Sequence, residues 1–257
     1  MSKKVIVIPT YNEMGNIEIT LSKIQNLNQK FDVVVVDDNS PDGTGDYVQE
    51  AIDNKRFNIK IILIRREGKK GLGTAYIKGF KKCLELKYEY IFQLDCDGSH
   101  NPNQLIDLYE ELNSNDSDIV IGSRYIKGIT VINWPLSRLL LSYFANYYVK
   151  IVTGMKINDS TGGFNGYKFK ALNSILKNNI YFKGYAFQIQ LKFIGSKLGY
   201  KINEIPIIFK DREIGESKMS LSIPGEAFFG VMYMKLISLF KNYKSKLNLI
   251  ELIILIL

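Results

Sequence analysis

Tyr90-Ile91-Phe92-Gln93-Leu94-Asp95-Cys96-Asp97 decides how the rest of the chain is read. The apolar run Tyr90 to Leu94 fits a buried strand, and the two carboxylates then stand at its carboxyl end, where open α/β sheets bind their ligands. Two hard oxygen ligands in that place suit Mg²⁺ or Mn²⁺ better than zinc, and such ions commonly bridge a few carboxylates to substrate phosphates. The competing reading is a solvated turn, where Asp and Gly are ordinary. An Asp-x-Asp by itself does not separate the two readings, so the flanking chain must.

Upstream, Val5-Ile6-Val7-Ile8 is a β-branched run behind Lys3-Lys4, too short for a signal peptide and without a cleavage pattern. The domain is therefore expected to begin at residue 1, on the cytosolic side. Pro9-Thr10-Tyr11-Asn12-Glu13 forms the next loop, and Ile17, Leu21, Ile24 and Leu27 mark an amphipathic helix with Asn16 as its expected cap. That loop lacks a Gly-x-Gly-x-x-Gly, which argues against a dinucleotide site. Phe31 to Val36 is the second strand and ends in the carboxylate cluster Asp37-Asp38-Asn39-Ser40-Pro41-Asp42. These carboxylates suit hydrogen bonds from a base or ribose, or helix capping by Ser40 or Asp42. Ile59 to Ile64 is a third strand, and Leu72 to Leu86 a helix whose first glycines, Gly71 and Gly73, fit close packing better than phosphate binding. After the carboxylate pair, Pro102 opens a helix to Leu112, and Ile119 to Gly122 is a fifth strand running into Ser123-Arg124. The alternation predicts an α/β fold, a single Rossmann-like domain with a mostly parallel sheet and helices on both faces.

A chain of 257 residues with 46% hydrophobic and 12% aromatic residues can bury a large core and is not a disordered tail protein. Cys83 and Cys96 show no metal spacing and are expected to stay reduced. The single histidine, His100, excludes His-rich metal sites. The net charge of +8 is unevenly spread: residues 1–122 carry 15 basic and 19 acidic side chains, residues 123–200 carry 11 and 1, and residues 201–257 carry 8 and 6. The middle stretch therefore faces something anionic: nucleic acid, phospholipid headgroups or a phosphorylated substrate.

That stretch is also apolar. Residues 130–153, with Trp134, Leu139 to Leu141, Tyr143, Phe144, Tyr147, Tyr148 and Arg138, read as a helix lying in the headgroup region, the alternative being a buried core helix. Ala186 to Leu198 reads as a helix, and Lys201 to Phe209 as a strand that Pro206 confines to a sheet edge. Glu226 to Phe240 is a further apolar helix, followed by Lys241, Lys244 and Lys246 and the apolar tail Leu247 to Leu257. As a helix that tail reaches about 16 Å at ~1.5 Å per residue, about half of a ~30 Å hydrocarbon core. It is read as dipping into a bilayer, or as the start of a longer transmembrane segment.

The motifs now have company. Pro9-Thr10-Tyr11-Asn12-Glu13, Val36-Asp37-Asp38, Asp42-Gly43-Thr44, Gly71-Leu72-Gly73-Thr74-Ala75 and Asp95-Cys96-Asp97 together resemble the inverting nucleotide-sugar glycosyltransferases of the GT-A type. Gly122-Ser123-Arg124-Tyr125, Thr161-Gly162-Gly163-Phe164, Lys183-Gly184-Tyr185-Ala186-Phe187-Gln188-Ile189 and Asp211-Arg212-x-x-Gly215-x-Ser217-Lys218 narrow the resemblance to the dolichol-phosphate (polyprenol-phosphate) mannosyltransferases, in order from residue 5 to about 218. The resemblance implies that Pro9, Tyr11, Glu13 and Asp38 hold the guanosine part of GDP-mannose, with Asp37 close by in the nucleotide-sugar site, and that Asp95, Cys96 and Asp97 lie against the diphosphate. Asp95, Asp97 and Ser99 would bind Mg²⁺ or Mn²⁺, and Arg212 and Lys218 would close over the site. Arg124 and Arg138 would take the acceptor phosphate and, with Asp97, carry catalysis. Cys96 stands where alanine is usual, and Gly98-Ser99 replaces a bulkier apolar residue and a frequently polar metal neighbour.

The domains implied are a catalytic unit over 1–218 with an interfacial helix at about 134–153, an amphipathic helix and basic flank over 219–246, and the tail 247–257. Expected partners are GDP-mannose, dolichol or polyprenyl phosphate, a membrane surface and a small membrane-anchoring subunit, with no nucleic acid. The expected place is the cytoplasmic face of a membrane, the plasma membrane in a prokaryote or the endoplasmic reticulum in a eukaryote. The rivals are transfer of glucose or another sugar to the same lipid, and a non-catalytic basic protein that binds membrane or nucleic acid.

Overall fold

In the computed structural model, which describes residues 3–114, 117–184, 186–212 and 223–240, the β-branched runs become strands and the amphipathic stretches between them helices. The first half runs β1 (Lys4–Thr10), α1 (Met14–Gln25), β2 (Asp32–Asp37), α2 (Thr44–Asp53), β3 (Ile61–Arg65), α3 (Leu72–Glu85), β4 (Tyr90–Gln93), α4 (Gln104–Asn113) and β5 (Ile119–Ser123). The second half runs β6 (Val131–Ile132), α5 (Leu136–Thr153), β7 (Asn165–Lys168), α6 (Phe169–Leu176), α7 (Ala186–Lys197), β8 (Ile202–Pro206), β9 (Phe209–Lys210) and α8 (Ile223–Phe240).

Seven strands form one sheet in the order β3-β2-β1-β4-β7-β5-β8, parallel throughout except for β7. Period-two alternation sends Ile6, Ile8, Val33, Val35 and Phe92 to a core shared with α1, α2 and α4, and Val5, Val7, Val34, Val36 and Ile91 to a core shared with α3, α6 and α7. Both faces are covered, which is why these strands carry almost no polar residue. Cys96 and Cys83 lie in those two separate cores as free thiols. Strand β8 lies at the sheet edge, as Pro206 requires, and Phe209 leaves it to form a two-stranded ribbon, β6 with β9.

Two expectations are corrected. Helix α1 starts at Met14, so Asn16 is no cap; it sits in the first turn and donates from Nδ2 to Glu13 Oε2 at 2.8 Å. Trp134 precedes α5, which begins only after Pro135, so it is not part of the interfacial helix. A strand that the sequence reading did not include, β7, runs antiparallel between β4 and β5. Its direction follows from the route of the chain: β5 delivers it to the carboxyl edge, and a strand that re-enters from that edge runs backwards. Gly166 is needed there, since a Cβ would lie 2.8 Å from Phe92 and 2.9 Å from Val120. Gly166→Ala should lower stability by about 1–3 kcal/mol through overpacking, measured as a shift in the urea midpoint at unchanged slope.

Residues 247–257, Lys218 and Lys241 to Lys246 lie outside the described residues. Among the described residues no helix is long and apolar enough to cross a membrane.

Candidate active site

The strand order reverses around β1 and β4, and the loops at their carboxyl ends open a crevice, as at other topological switch points. Pro9 is the penultimate residue of β1, in register with Val36, and Tyr11 follows the strand with the Lys69 ammonium 5.0 Å from its ring. Glu13 is buried beside Asn16. Asp37 is committed to the protein: it accepts from the Thr10 hydroxyl at 2.9 Å and from the Ser40 amide and hydroxyl at 3.0 and 2.6 Å. It shapes the crevice from behind. Asp42 likewise ties Thr44 to the Met14 amide, and Ser40 accepts from the Asn12 amide. Asp38 is different. Burial raises its carboxyl above the usual range against the pull of Arg66, whose Nη1 lies 3.1 Å from Asp38 Oδ1. Neither atom is aligned for a hydrogen bond. Asp38 and Arg66 therefore form a buried ion pair with hydrogen-bonding capacity left on both of these atoms.

Asp95 and Asp97 follow β4. Burial, with the Asp97 charge next, pushes the Asp95 carboxyl up to about 7. Its hydrogen-bond partner is the Tyr76 hydroxyl, which donates to Oδ1 at 2.6 Å from between Phe80 and Phe187. Asp97 accepts on Oδ1 from the Ser99 amide at 3.1 Å and from the Ser99 hydroxyl, and Arg212 Nη2 lies 3.0 Å from Oδ2. Ser99 is thus a partner of Asp97. The side chain of Cys96 turns away into the core, its Sγ 3.9 Å from Thr20 Oγ1, which corrects its expected place against the diphosphate. Two carboxylates one residue apart, one of them raised by burial and by its neighbour's charge, fit a divalent ion. Among the described residues there is no cluster of three or more His, Cys, Asp or Glu, so an ion held here would draw its other ligands from elsewhere, as Mg²⁺ does from phosphates.

A cavity of about 450 Å³ opens from this pair. Asp95, Asp97 and Arg212 line it together with Arg124 and Arg138, and Phe144, Tyr148, Phe228 and Val231 of α5 and α8 give it an apolar wall. Arg124 is buried and grips Asp159 with Nε and Nη2, each at 2.7 Å, while Nη2 also donates to Thr161 Oγ1 at 2.8 Å. Burial alone would raise the Asp159 carboxyl, but the Arg124 guanidinium overrides it and holds it at about 2. Buried Lys192, lowered to about 7 by desolvation, donates to the carbonyls of Ser160 and Gly162 at 3.0 and 2.6 Å and so fastens the same loop. Arg138 donates to Asp211 Oδ1 at 2.8 Å and lies 4.3 Å from the Trp134 ring centroid, with Arg124 5.3 Å from it. Buried His100 stacks on Phe164 at 4.7 Å, and desolvation drops it to about 4, so it is neutral near pH 7.

Residues 5–176 match the Glycosyl transferase family 2 model. The chain belongs to that family. The glycosyltransferase is 40% identical over 244 residues to the undecaprenyl-phosphate mannosyltransferase of Micrococcus luteus, covering 95% of this chain and 98% of that one. It is 39% identical over 231 residues to the polyprenol monophosphomannose synthase of Mycolicibacterium smegmatis, covering 89% and 85%. Among solved structures, glucosyl-3-phosphoglycerate synthase from Mycobacterium tuberculosis, in complex with Mn²⁺, UDP and glucosyl-3-phosphoglycerate, superposes with a TM-score of 0.65 at 16% identity over 92% of this chain and 79% of that one. S. aureus TarS 1-349 with UDP-GlcNAc gives 0.63 at 20% identity over 93% and 67%. At these identities the solved structures establish the GT-A fold of the glycosyltransferase.

Several site residues of the glycosyltransferase escape a reading by motif. Arg66 follows β3 as Asp38 follows β2, a positional parallel that would have found it. Tyr76 reads as one more aromatic on a helix face. Asp159 had a signal: it is the one acid among residues 123–200. A lone carboxylate in so basic a stretch, if buried, must be paired.

Proposed function

We propose that the enzyme transfers mannose from GDP-mannose to the phosphate of a polyprenyl monophosphate, with inversion at the anomeric carbon. One observation carries this reading: a single cavity joins a carboxylate pair, two arginines and an apolar wall from α5 and α8. Those three groups of residues suit a sugar diphosphate, a phosphate monoester and a lipid tail. The two bacterial relatives, an undecaprenyl-phosphate mannosyltransferase and a polyprenol monophosphomannose synthase, support the same sugar and acceptor class.

In the proposed step an acceptor phosphate oxygen attacks the anomeric carbon as the bond to the GDP oxygen breaks, and the leaving electron pair stays on the diphosphate. A phosphomonoester, with a second pKa of about 6, is already anionic near neutrality and needs no base. Neutral, stacked His100 is consistent with that. Arg124, held rigid by Asp159, and Arg138 would orient the acceptor, and Arg212 would reach the diphosphate beside Asp97. Mg²⁺ or Mn²⁺ on Asp95 and Asp97 would supply charge stabilisation to the departing diphosphate. Lys218, outside the described residues, is assigned to the same closure.

The membrane surface is assigned to two exposed stripes. Leu136, Leu140, Phe144, Tyr147 and Ile151 recur along α5, and Phe229, Met232, Leu236 and Leu239 along α8; all nine are exposed. The helices pack together through Tyr148 and Phe228, stacked at 4.7 Å. Their exposed residues are hard to reconcile with a buried core helix and fit insertion among headgroups at a cytoplasmic face rich in anionic lipid. Ile151→Ser with Phe229→Ser, neither of them in the cavity wall, should weaken co-sedimentation with vesicles at least about tenfold, since burying each side chain is worth about 1.5–3 kcal/mol. GDP-mannose binding should persist.

The deciding assay supplies radiolabelled GDP-mannose or UDP-glucose to polyprenyl phosphate with Mg²⁺ or Mn²⁺. Label from GDP-mannose should enter the lipid phase as a β-linked mannosyl phosphate. Transfer from UDP-glucose alone would overturn the donor, and an α-linked product would overturn inversion.

A further inference from the structure

Gln188 is buried on the first turn of α7 and yet lines the cavity next to Asp95. Its Oε1 accepts from Asn165 Nδ2 at 3.3 Å, and its Nε2 has no hydrogen-bond partner among the described residues. The orientation of this amide is set by the backbone. The Gly162 carbonyl, an obligatory acceptor, lies 3.2 Å from Asn165 Nδ2, which also donates to Gln93 Oε1 at 2.9 Å. Turning Gln188 over would set two amide NH₂ groups against each other. Nε2 is therefore an oriented donor at the cavity wall, its hydrogen bonds left for whatever fills the cavity.

Gly163 marks where that something sits. A Cβ built on Gly163 would lie 3.4 Å from Gln188 Nε2 and 3.5 Å from Asp95 Oδ2, with nothing else closer than 4.0 Å except the rest of the Gln188 amide. The missing side chain leaves a gap about one hydroxyl wide, with a donor on one side and an acceptor on the other. A sugar hydroxyl both accepts and donates, and it fills such a gap where a methyl or a charged phosphate does not. A carboxylate oxygen has two lone pairs, so Asp95 can serve a hydroxyl and an ion together.

We propose that Gln188, with Gly163 as the floor, is a specificity-determining residue that reads one ring hydroxyl of the donor's hexose. This deepens the glycosyl-transfer reading and rests on it. The base and diphosphate contacts lie elsewhere, so the residue should distinguish a sugar nucleotide from the bare diphosphate.

The test is calorimetry on the full chain with Mg²⁺ present, titrating GDP-mannose and GDP into wild type, Gln188→Leu and Gly163→Ala. Gly163 lies outside the left-handed region, so alanine there fills the gap without straining the backbone. In both variants GDP-mannose should bind about five- to tenfold more weakly while GDP stays within about twofold. Equal losses for GDP and GDP-mannose would make both residues scaffolding, and unchanged GDP-mannose binding would leave them no role in reading sugar; either result overturns the proposal. If wild type prefers another nucleotide sugar, the donor assignment fails, and the same ratio measured with that sugar nucleotide and its diphosphate still decides Gln188. If wild type binds no nucleotide sugar, both readings fall.

Discussion

Asp97→Asn should cut turnover by about three orders of magnitude, the several kcal/mol that a correctly held divalent ion contributes to a developing charge. The substitution preserves shape, and Oδ1 can still accept from Ser99. What changes is the charge: Arg212 loses its partner at 3.0 Å, and Asp95 loses the neighbour that, after burial, does most to raise it. Asp95 should therefore ionise at lower pH in the variant, yet as a single carboxylate it holds an ion poorly. Mn²⁺ titrations followed by paramagnetic resonance, with GDP present, should show weaker metal binding. Wild-type turnover in this variant would remove the carboxylate pair from the mechanism.

Arg124→Ala should slow transfer to polyprenyl phosphate by a similar factor while GDP-mannose affinity, read by calorimetry, changes little. The guanidinium meets a phosphate with rigid, forked geometry that lysine does not reproduce. Arg124 also neutralises Asp159, and stranding a buried carboxylate costs about 3–5 kcal/mol. The double variant Arg124→Ala/Asp159→Asn removes both charges and should regain most of the stability but none of the transfer. In wild type, Asp159 is depressed to about 2, so its stabilisation is complete above about pH 4 and is lost as pH falls through 2. In Arg124→Ala the Asp159 carboxylate keeps the backbone amides of residues 124 and 162 and the nearby Lys192 but loses the guanidinium that overrides burial, so the stability deficit should narrow on acidification, seen in melts from pH 7 to 4. Full activity regained at high acceptor concentration would instead mean that Arg124 merely attracts lipid.

How much of this was legible beforehand depends on the range of each interaction. Buried parallel strands write themselves as β-branched runs, so Val5–Ile8 and Val33–Val36 could be read, and with them the sheet edge where the carboxylates gather. Strand β7 could not. Asn-Gly-Tyr-Lys has little strand preference, and it pairs because its neighbours leave room for it and because Asn165 finds buried partners. Motif position placed Cys96 beside its acidic neighbours, but alternation turns its side chain to the opposite side. The arginines were visible as charges, whereas their acids were not, since Asp159 and Asp211 lie 35 and 73 residues away. Trp134 was assigned to a helix by composition, but Pro135 caps the start of that helix and leaves the indole outside it, against both guanidinium groups.

Strand β7 also sets an order of assembly. The four strands β3, β2, β1 and β4 are all made by residue 93, with short sequence separations, and can pair while the chain is still being synthesised. Strand β5 has to wait: its neighbours on either side, β7 and β8, end at residues 168 and 206. The half of the sheet that presents the nucleotide crevice can therefore stand before the half that delivers Arg124 exists. A ribosome-bound fragment stopped before residue 165 should already resist proteolysis across its first four strands and yet carry β5 as an exposed, aggregation-prone edge.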